Sequence, residues 1–273
     1  MTTKEMLDIA LRLAGLTEVP KDVGIQVEGE HVTKVLAGID ISPAEIVAAK
    51  MMGYDCVARH HHLTPDMANI GDFLEQEHEA MLVDAGVPIH VAQGLNFGQG
   101  SRTDYQFHAL NLASTQQMAQ LLQMPLLGIH TPADKIGERI VQNRCDVLAD
   151  KYPKLKVKDI LEDLQEIREY RETQQKPRVW VGDPNRYAGK ILTWFSGVCG
   201  PTYEEVEALV HAGVGTLVVM ALHWDDVEKL NKLGTCTVIE AGHMASDSIG
   251  MNVILDTWEQ EGGIVTARVG GIV

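Results

Sequence analysis

Residues 32–62 read VTKVLAGIDISPAEIVAAKMMGYDCVARHHH. A largely apolar run ends in Asp40. Ser42 and Pro43 then open a helical stretch, serine being a favoured N-cap and proline being preset for the first helical position. Gly53 closes that helix. A second short apolar run, Asp55 to Arg59, follows and leads into His60, His61 and His62. Strand, helix, strand is the repeating unit of an α/β protein. In open α/β sheets, sites form outside the carboxyl ends of strands. The three imidazoles stand at such an end.

The alternation continues in both directions. Residues 3–14 carry Met6, Leu7, Ala10 and Leu11 at helical spacing, and "GIQVEG" is a candidate strand. Residues 71–86 read as a helix and "VPIHVA" (87–92) as a strand entering a Gly-rich loop. Residues 103–122 are helical, with a break near Ser114. A charged, mostly helical stretch with both signs interspersed follows, then α/β order resumes. "KILTWFSGVCG" is a strand entering a Gly-rich turn, and a helix capped by Thr202 comes next. "GTLVVMALHW" and "TCTVIEAGH" are strands separated by a helix. A last helix runs from Met244 to Gly262, before a closing strand. The expected division is an N-terminal α/β domain at 1–128, a helical connector or subdomain at 129–188, and a C-terminal α/β domain at 189–273.

The 273 residues are long enough for one large or two modest domains. They carry a net charge of −15, which disfavours general binding to nucleic acid or anionic membrane. Cys56, Cys145, Cys199 and Cys236 form no C-x-x-C pair, which argues for buried thiols in a reducing compartment. The first residues are amphipathic and partly acidic, unlike a secretory signal. No apolar run approaches the roughly 18 residues of a membrane span. A cytoplasmic protein is expected.

Neutral imidazole is the commonest protein metal ligand, and His60 and His61 abut an apolar strand. In "EAGHMASDSIG", His243 and Asp247 are four residues apart, on one face of a helix. Together these four residues make a mixed nitrogen and oxygen set suited to Zn, Mn, Fe or Ni. His62, His90, Gln93, Asp104 and His223 are further candidates, as ligands or as support for them. His130 and His108 are candidates only for support. His31, His78 and His211 read as surface residues. "SGVCG" places Cys199 in a turn but lacks the G-x-S-x-G pattern, so it is not read as a nucleophile.

The segments "DVGIQVEGEHVTKVLAGIDISPAEIVAAKMMGYDCVARHHHLTP" and "VIEAGHMASDSIGMNVI" resemble the opening and closing blocks of the Nif-three-like dinuclear metal centre family, also described as GTP cyclohydrolase 1 type 2 homologues. "SGVCG", a helix and "GVGTLVVMALHW" follow the order of that family's second half. The family's His-His pair falls on His60 and His61, its late histidine on His243, and its glutamate on Asp247. His62 stands where the family usually has proline. The family's H-T-N-L-D segment reads "QGLNF" here, so Gln93 replaces the histidine and the bridging aspartate falls on or near Phe97. The resemblance implies two similar α/β domains with the metal site between them, one or two divalent cations and a homohexameric ring. It also implies a hydrolase-like activity in which metal activates water, on a small molecule such as a nucleotide or heterocycle. The alternative is a non-catalytic metal-binding scaffold or regulatory oligomer.

Overall fold

The two apolar runs of the opening segment form neighbouring parallel strands, joined by the helix that Ser42 caps. Glu45 completes that cap by accepting the Ser42 backbone N–H, so two of the helix's first N–H groups find side-chain partners. The computed structural model describes residues 1–61 and 63–273. His62, an expected ligand candidate, lies outside the described residues.

The elements begin with α1 (Thr3–Ala14), β1 (Val23–Val27), β2 (Lys34–Gly38), α2 (Pro43–Met51) and β3 (Cys56–Arg59). After a short 3₁₀ turn come α3 (Gly71–Ala85), α4 (Ile89–Asn96), α5 (Gln99–His108), α6 (Ser114–Leu122) and β4 (Leu126–Ile129). The middle contains α7 (His130–Lys151), α8 (Val157–Leu164), α9 (Arg168–Glu172), β5 (Arg178–Val181) and β6 (Lys190–Trp194). The last part contains α10 (Tyr203–His211), β7 (Val214–Val219), α11 (Trp224–Leu233), β8 (Thr237–Glu240), α12 (His243–Gly262) and β9 (Val265–Val269). No helix among the described residues is long and apolar enough to cross a membrane.

The chain divides into two compact units. Unit 1 comprises Met1–Asp72, Ser101–Ile136 and Asp247–Val273; unit 2 comprises Phe73–Gly100 and Gly137–Ser246. Each is built on one sheet. In unit 1 the strand order is β1-β4-β3-β2-β9, and in unit 2 it is β5-β8-β7-β6. Both sheets are parallel except for one antiparallel edge strand, β1 in the first and β5 in the second. The expectation of two similar α/β domains is met. Almost every residue of β2, β3 and β4 is buried, as in a parallel sheet covered on both faces. Leu36, Val57 and Leu126 of these strands pack with Ile46 and Ala49 of α2 and Ala119 of α6.

Three local expectations are revised. "VPIHVA" is not a strand: Val91, Ala92 and Leu95 sit at helical spacing and pack on the unit 2 core, so period 3.6 wins over alternation. The Gly-rich segment after it is likewise mostly α4 and α5. "LLGI" and "RVWV" are strands, β4 and β5, that flanking helices and charges obscure. The break near Ser114 is present, between α5 and α6.

His78 is not a surface residue. It projects from α3 into unit 2 and is fully buried, with Nδ1 2.8 Å from Glu205 Oε1 and Nε2 3.0 Å from the Gly197 carbonyl. Burial opposes its charge, but Cys199 and Glu205 outweigh burial and push its pKa up to about 10. A histidine raised from its unfolded value near 6.5 stabilises the fold fully below that pH and loses its contribution as pH rises toward 10. Urea unfolding at pH 6.5, 8 and 9.5 is therefore expected to show stability falling across this window. The fall should be smaller in Glu205→Gln; an equal fall in both proteins would rule out the pair as its source.

Candidate metal centre

Because β2, β3 and β4 are adjacent and parallel, their carboxyl ends share one edge of the unit 1 sheet. Gly38 is in register with Arg59, and Arg59 with Gly128. Two residues beyond Gly38 and Arg59 stand Asp40 and His61, and their side chains meet: His61 Nδ1 donates to Asp40 Oδ1 at 2.7 Å. His60 follows β3 directly and His130 follows β4. Their rings stack with centroids 4.5 Å apart.

The antiparallel edge strand adds a further group. Val23 pairs with Ile129, so the residue before β1 lies beside the residue after β4. That residue is Asp22, fully buried, which accepts from His130 Nδ1 at 2.7 Å and from the Thr131 hydroxyl at 2.7 Å. Both His61 and His130 therefore hold their Nδ1–H on a carboxylate, so Nε2 is the nitrogen each could offer to a metal. Such carboxylate–histidine pairs fix tautomer and ring orientation at metal sites.

Two helices bring in carboxylates. Asp134 is one turn into α7, with Oδ1 3.3 Å from His60 Nε2. Asp247, on α12, places Oδ1 3.6 Å from His60 Nε2 and Oδ2 3.5 Å from His61 Nε2. The helices approach this closely because residue 250 is glycine: a Cβ there would lie 1.9 Å from the Ala133 carbonyl oxygen.

Donor atoms of His60, His61 and His130 lie within 4.8 Å of one another, as do those of His60, Asp134 and Asp247. Nitrogen and oxygen ligands about 2.0–2.2 Å from one cation lie at most about 4.4 Å apart, so a small contraction of the cluster would suit one. His60 is fully buried, yet among the described residues neither of its ring nitrogens has an aligned hydrogen-bond partner, and nor does Asp134 Oδ1. The 3.3 Å approach between them is not aligned as a hydrogen bond. Buried polar groups are rarely left unpaired unless something else binds there. The electrostatics point the same way. Burial disfavours a charged imidazole, but Asp247 and Asp134 push the His60 pKa up to about 10. Burial also opposes charge on His130, and Asp134 still raises it. A field that holds a proton this firmly favours a cation. The residues fit a divalent metal, and the cluster is compatible with a metal site.

Of the expected residues, the structure brings His60, His61 and Asp247 together, and donor atoms of His61, His243 and Asp247 lie within 4.8 Å of one another. His243 opens α12 one turn ahead of Asp247 and is exposed. His90 and Gln93 lie exposed on α4, and His223 is exposed at the start of α11. Asp104 accepts the Gly71 N–H at 2.7 Å and serves the start of α3. Two members were not anticipated as ligands, His130 and Asp134. Their signal is in the sequence: "LLGIH" repeats the strand-then-histidine form of "CVARH", and "HTPAD" repeats the His-x-x-x-Asp spacing of "HMASD".

No protein-family model matches the chain, and no curated protein does. Solved structures do. A NIF3 superfamily protein from Sphaerobacter thermophilus superposes with a TM-score of 0.94 at 29% identity, over 99% of this chain and 98% of that one. Reduced HcgD from Methanocaldococcus jannaschii matches with a TM-score of 0.62 at 15% identity, over 98% and 97%. TTHA1606 from Thermus thermophilus matches at 0.55 and 18%, over 98% and 97%. The last two likenesses concern the fold alone. With the first likeness extending along the whole chain, and with the histidine pair at the end of β3, a Nif3-like family is supported for this chain.

Proposed function

We propose that the protein is a metal-dependent hydrolase whose centre is formed by His60, His61, His130, Asp134 and Asp247, with His243 joining from the start of α12. The observation that carries this is the fully buried His60, which faces two carboxylates at 3.3 and 3.6 Å with no aligned hydrogen bond at either ring nitrogen among the described residues. One or two divalent transition metals suit the set, Zn, Mn, Fe or Ni by ligand type. Asp247 presents a different oxygen to each of His60 and His61, the disposition of a bridging carboxylate. It and Asp134 supply the negative charge that Phe97 does not.

When bound, such a cation lowers the pKa of a coordinated water toward neutrality and polarises a substrate oxygen. The chain's own residues set the geometry. Asp40 and Asp22 orient His61 and His130. His60 is sealed in the interior, whereas the His61 side chain is 21% exposed. Substrate therefore approaches from the His61 side. Family resemblance supports a nucleotide or other heterocycle as substrate and a homohexameric assembly, while the cysteine usage supports a cytoplasmic location.

Elemental analysis of purified protein should find a divalent transition metal, and the His60→Ala, His61→Ala double variant should lack it. Unchanged metal content in that variant would overturn the assignment. Metal-loaded protein is then screened against nucleotides and phosphoesters. Turnover abolished by Asp247→Ala supports a hydrolase; tight metal without turnover of any substrate supports a scaffold.

A further inference from the structure

Unit 2 contains a second constellation of reactive side chains, independent of the metal reading. Its parallel strand β6 ends at Trp194 and enters the turn Ser196-Gly197-Val198-Cys199-Gly200, after which Thr202 caps α10. The turn is strained. Gly197 and Val198 have φ of +100° and +72°, and the second value is costly for a β-branched residue. A Cβ at Gly197 would lie 2.8 Å from the His78 ring, so only glycine lets the turn close over that imidazole.

The result is a chain of three side chains. Cys199 Sγ is 3.9 Å from His78 Nε2, and His78 Nδ1 is 2.8 Å from Glu205 Oε1. Trp194 packs its ring edge-on to His78, with centroids 5.0 Å apart. Glu205 is fixed in turn, its other oxygen accepting the Thr202 N–H at 2.7 Å and hydroxyl at 3.0 Å. His78 and Glu205 are fully buried while Cys199 is exposed. Both His78 nitrogens face acceptors, the Glu205 carboxylate and the Gly197 carbonyl, which is the environment of an imidazolium that donates twice. Cys56, Cys145 and Cys236 are buried, and desolvation raises each thiol's pKa. Cys199 alone pairs exposure with an imidazole held by a carboxylate, the arrangement of an activated thiol.

We propose that Cys199, His78 and Glu205 form a nucleophilic thiol centre that reduces small hydroperoxides. The Cys199 thiolate attacks the terminal peroxide oxygen; an S–O bond forms as the O–O bond breaks. Sulfur loses two electrons and becomes a sulfenic acid. The departing oxyanion takes the proton from His78 Nε2 and leaves as an alcohol or water. Glu205 is a positioning residue, holding the imidazole toward the sulfur.

The test uses the full chain with hydrogen peroxide in buffer containing EDTA, so that bound metal plays no part. Sulfenic acid is trapped with dimedone and located by mass spectrometry, with glutathione as competitor in the same tube. At pH 6.5 Cys199 is expected to react at least about tenfold faster than glutathione, with the advantage growing as pH falls, because an unassisted thiol is mostly protonated there. His78→Asn and Glu205→Gln should bring the rate to within about twofold of glutathione. A wild-type Cys199 that reacts no faster than glutathione at pH 6.5 overturns the proposal, whether or not the variants fold. Fast reaction that survives both substitutions in folded protein overturns the roles of His78 and Glu205.

Discussion

Asp247→Asn protein is expected to purify without metal and to bind added Zn or Mn at least about 100-fold more weakly than the parent, since even partners behind the ligands are worth 10–100-fold. The substitution is nearly isosteric, so the fold should survive. What changes is chemistry. Asp247 is fully buried, with one oxygen toward His60 and the other toward His61. Asparagine keeps one acceptor, loses the negative charge, and turns an N–H₂ group toward the place a cation would take. Calorimetry and elemental analysis measure the loss directly. Thermal unfolding gives an independent reading, because metal at about 100 times its Kd adds about 2.7 kcal/mol to the folded state. That increment should vanish in Asp247→Asn. Asp104→Asn, on α5, should keep it. A variant at 247 that retains stoichiometric metal and the full thermal shift would remove Asp247 from the centre.

Gly250→Ala should be the most damaging single methyl group in unit 1. The added Cβ would lie 1.9 Å from the Ala133 carbonyl oxygen and 2.5 Å from its carbon. These are backbone atoms of α7, so no side chain can swing aside. Overpacking typically costs about 1–3 kcal/mol, and the upper end is expected with a rigid wall. The better helix propensity of alanine offsets about 1 kcal/mol of that. Relief requires α12 to move off α7, which separates Asp247 from Asp134. Metal affinity should therefore fall together with stability in urea denaturation. An alanine variant as stable as the parent and equally able to bind metal would show that this close approach does not build the site.

The β–α–β opening segment was legible because its signals agree: apolar runs, a capping box and a closing glycine all point to one structure. His60, His61 and Asp247 were legible for the same reason, each standing just after an apolar strand or within a first helical turn. His130 was read only as support and Asp134 not at all, since they open a charged helix whose composition suggested a connector. Their role depends on β4 lying beside β3, a long-range pairing that no local pattern reports. Asp22 depends on the antiparallel direction of β1, which is equally invisible in sequence. Cys199 lacked a recognised motif. Its partners come from positions 78 and 205, and only the folded unit 2 places them together.

The way unit 1 is threaded bears on its birth at the ribosome. Its first segments, Met1–Asp72 and Ser101–Ile136, are synthesised long before Asp247–Val273. All of Gly137–Ser246 emerges in between, so unit 2 has its full complement of residues first. During that interval β2 lacks β9, its outer neighbour, and presents an open sheet edge, the kind of surface that pairs wrongly with other chains. The nascent chain already carries His60, His61, His130 and Asp134, but not the carboxylate that faces two of them. A translation product stalled before residue 247 would thus be both sticky and unable to complete the cluster. Closure of the sheet and completion of the cluster arrive with the same final stretch of polypeptide.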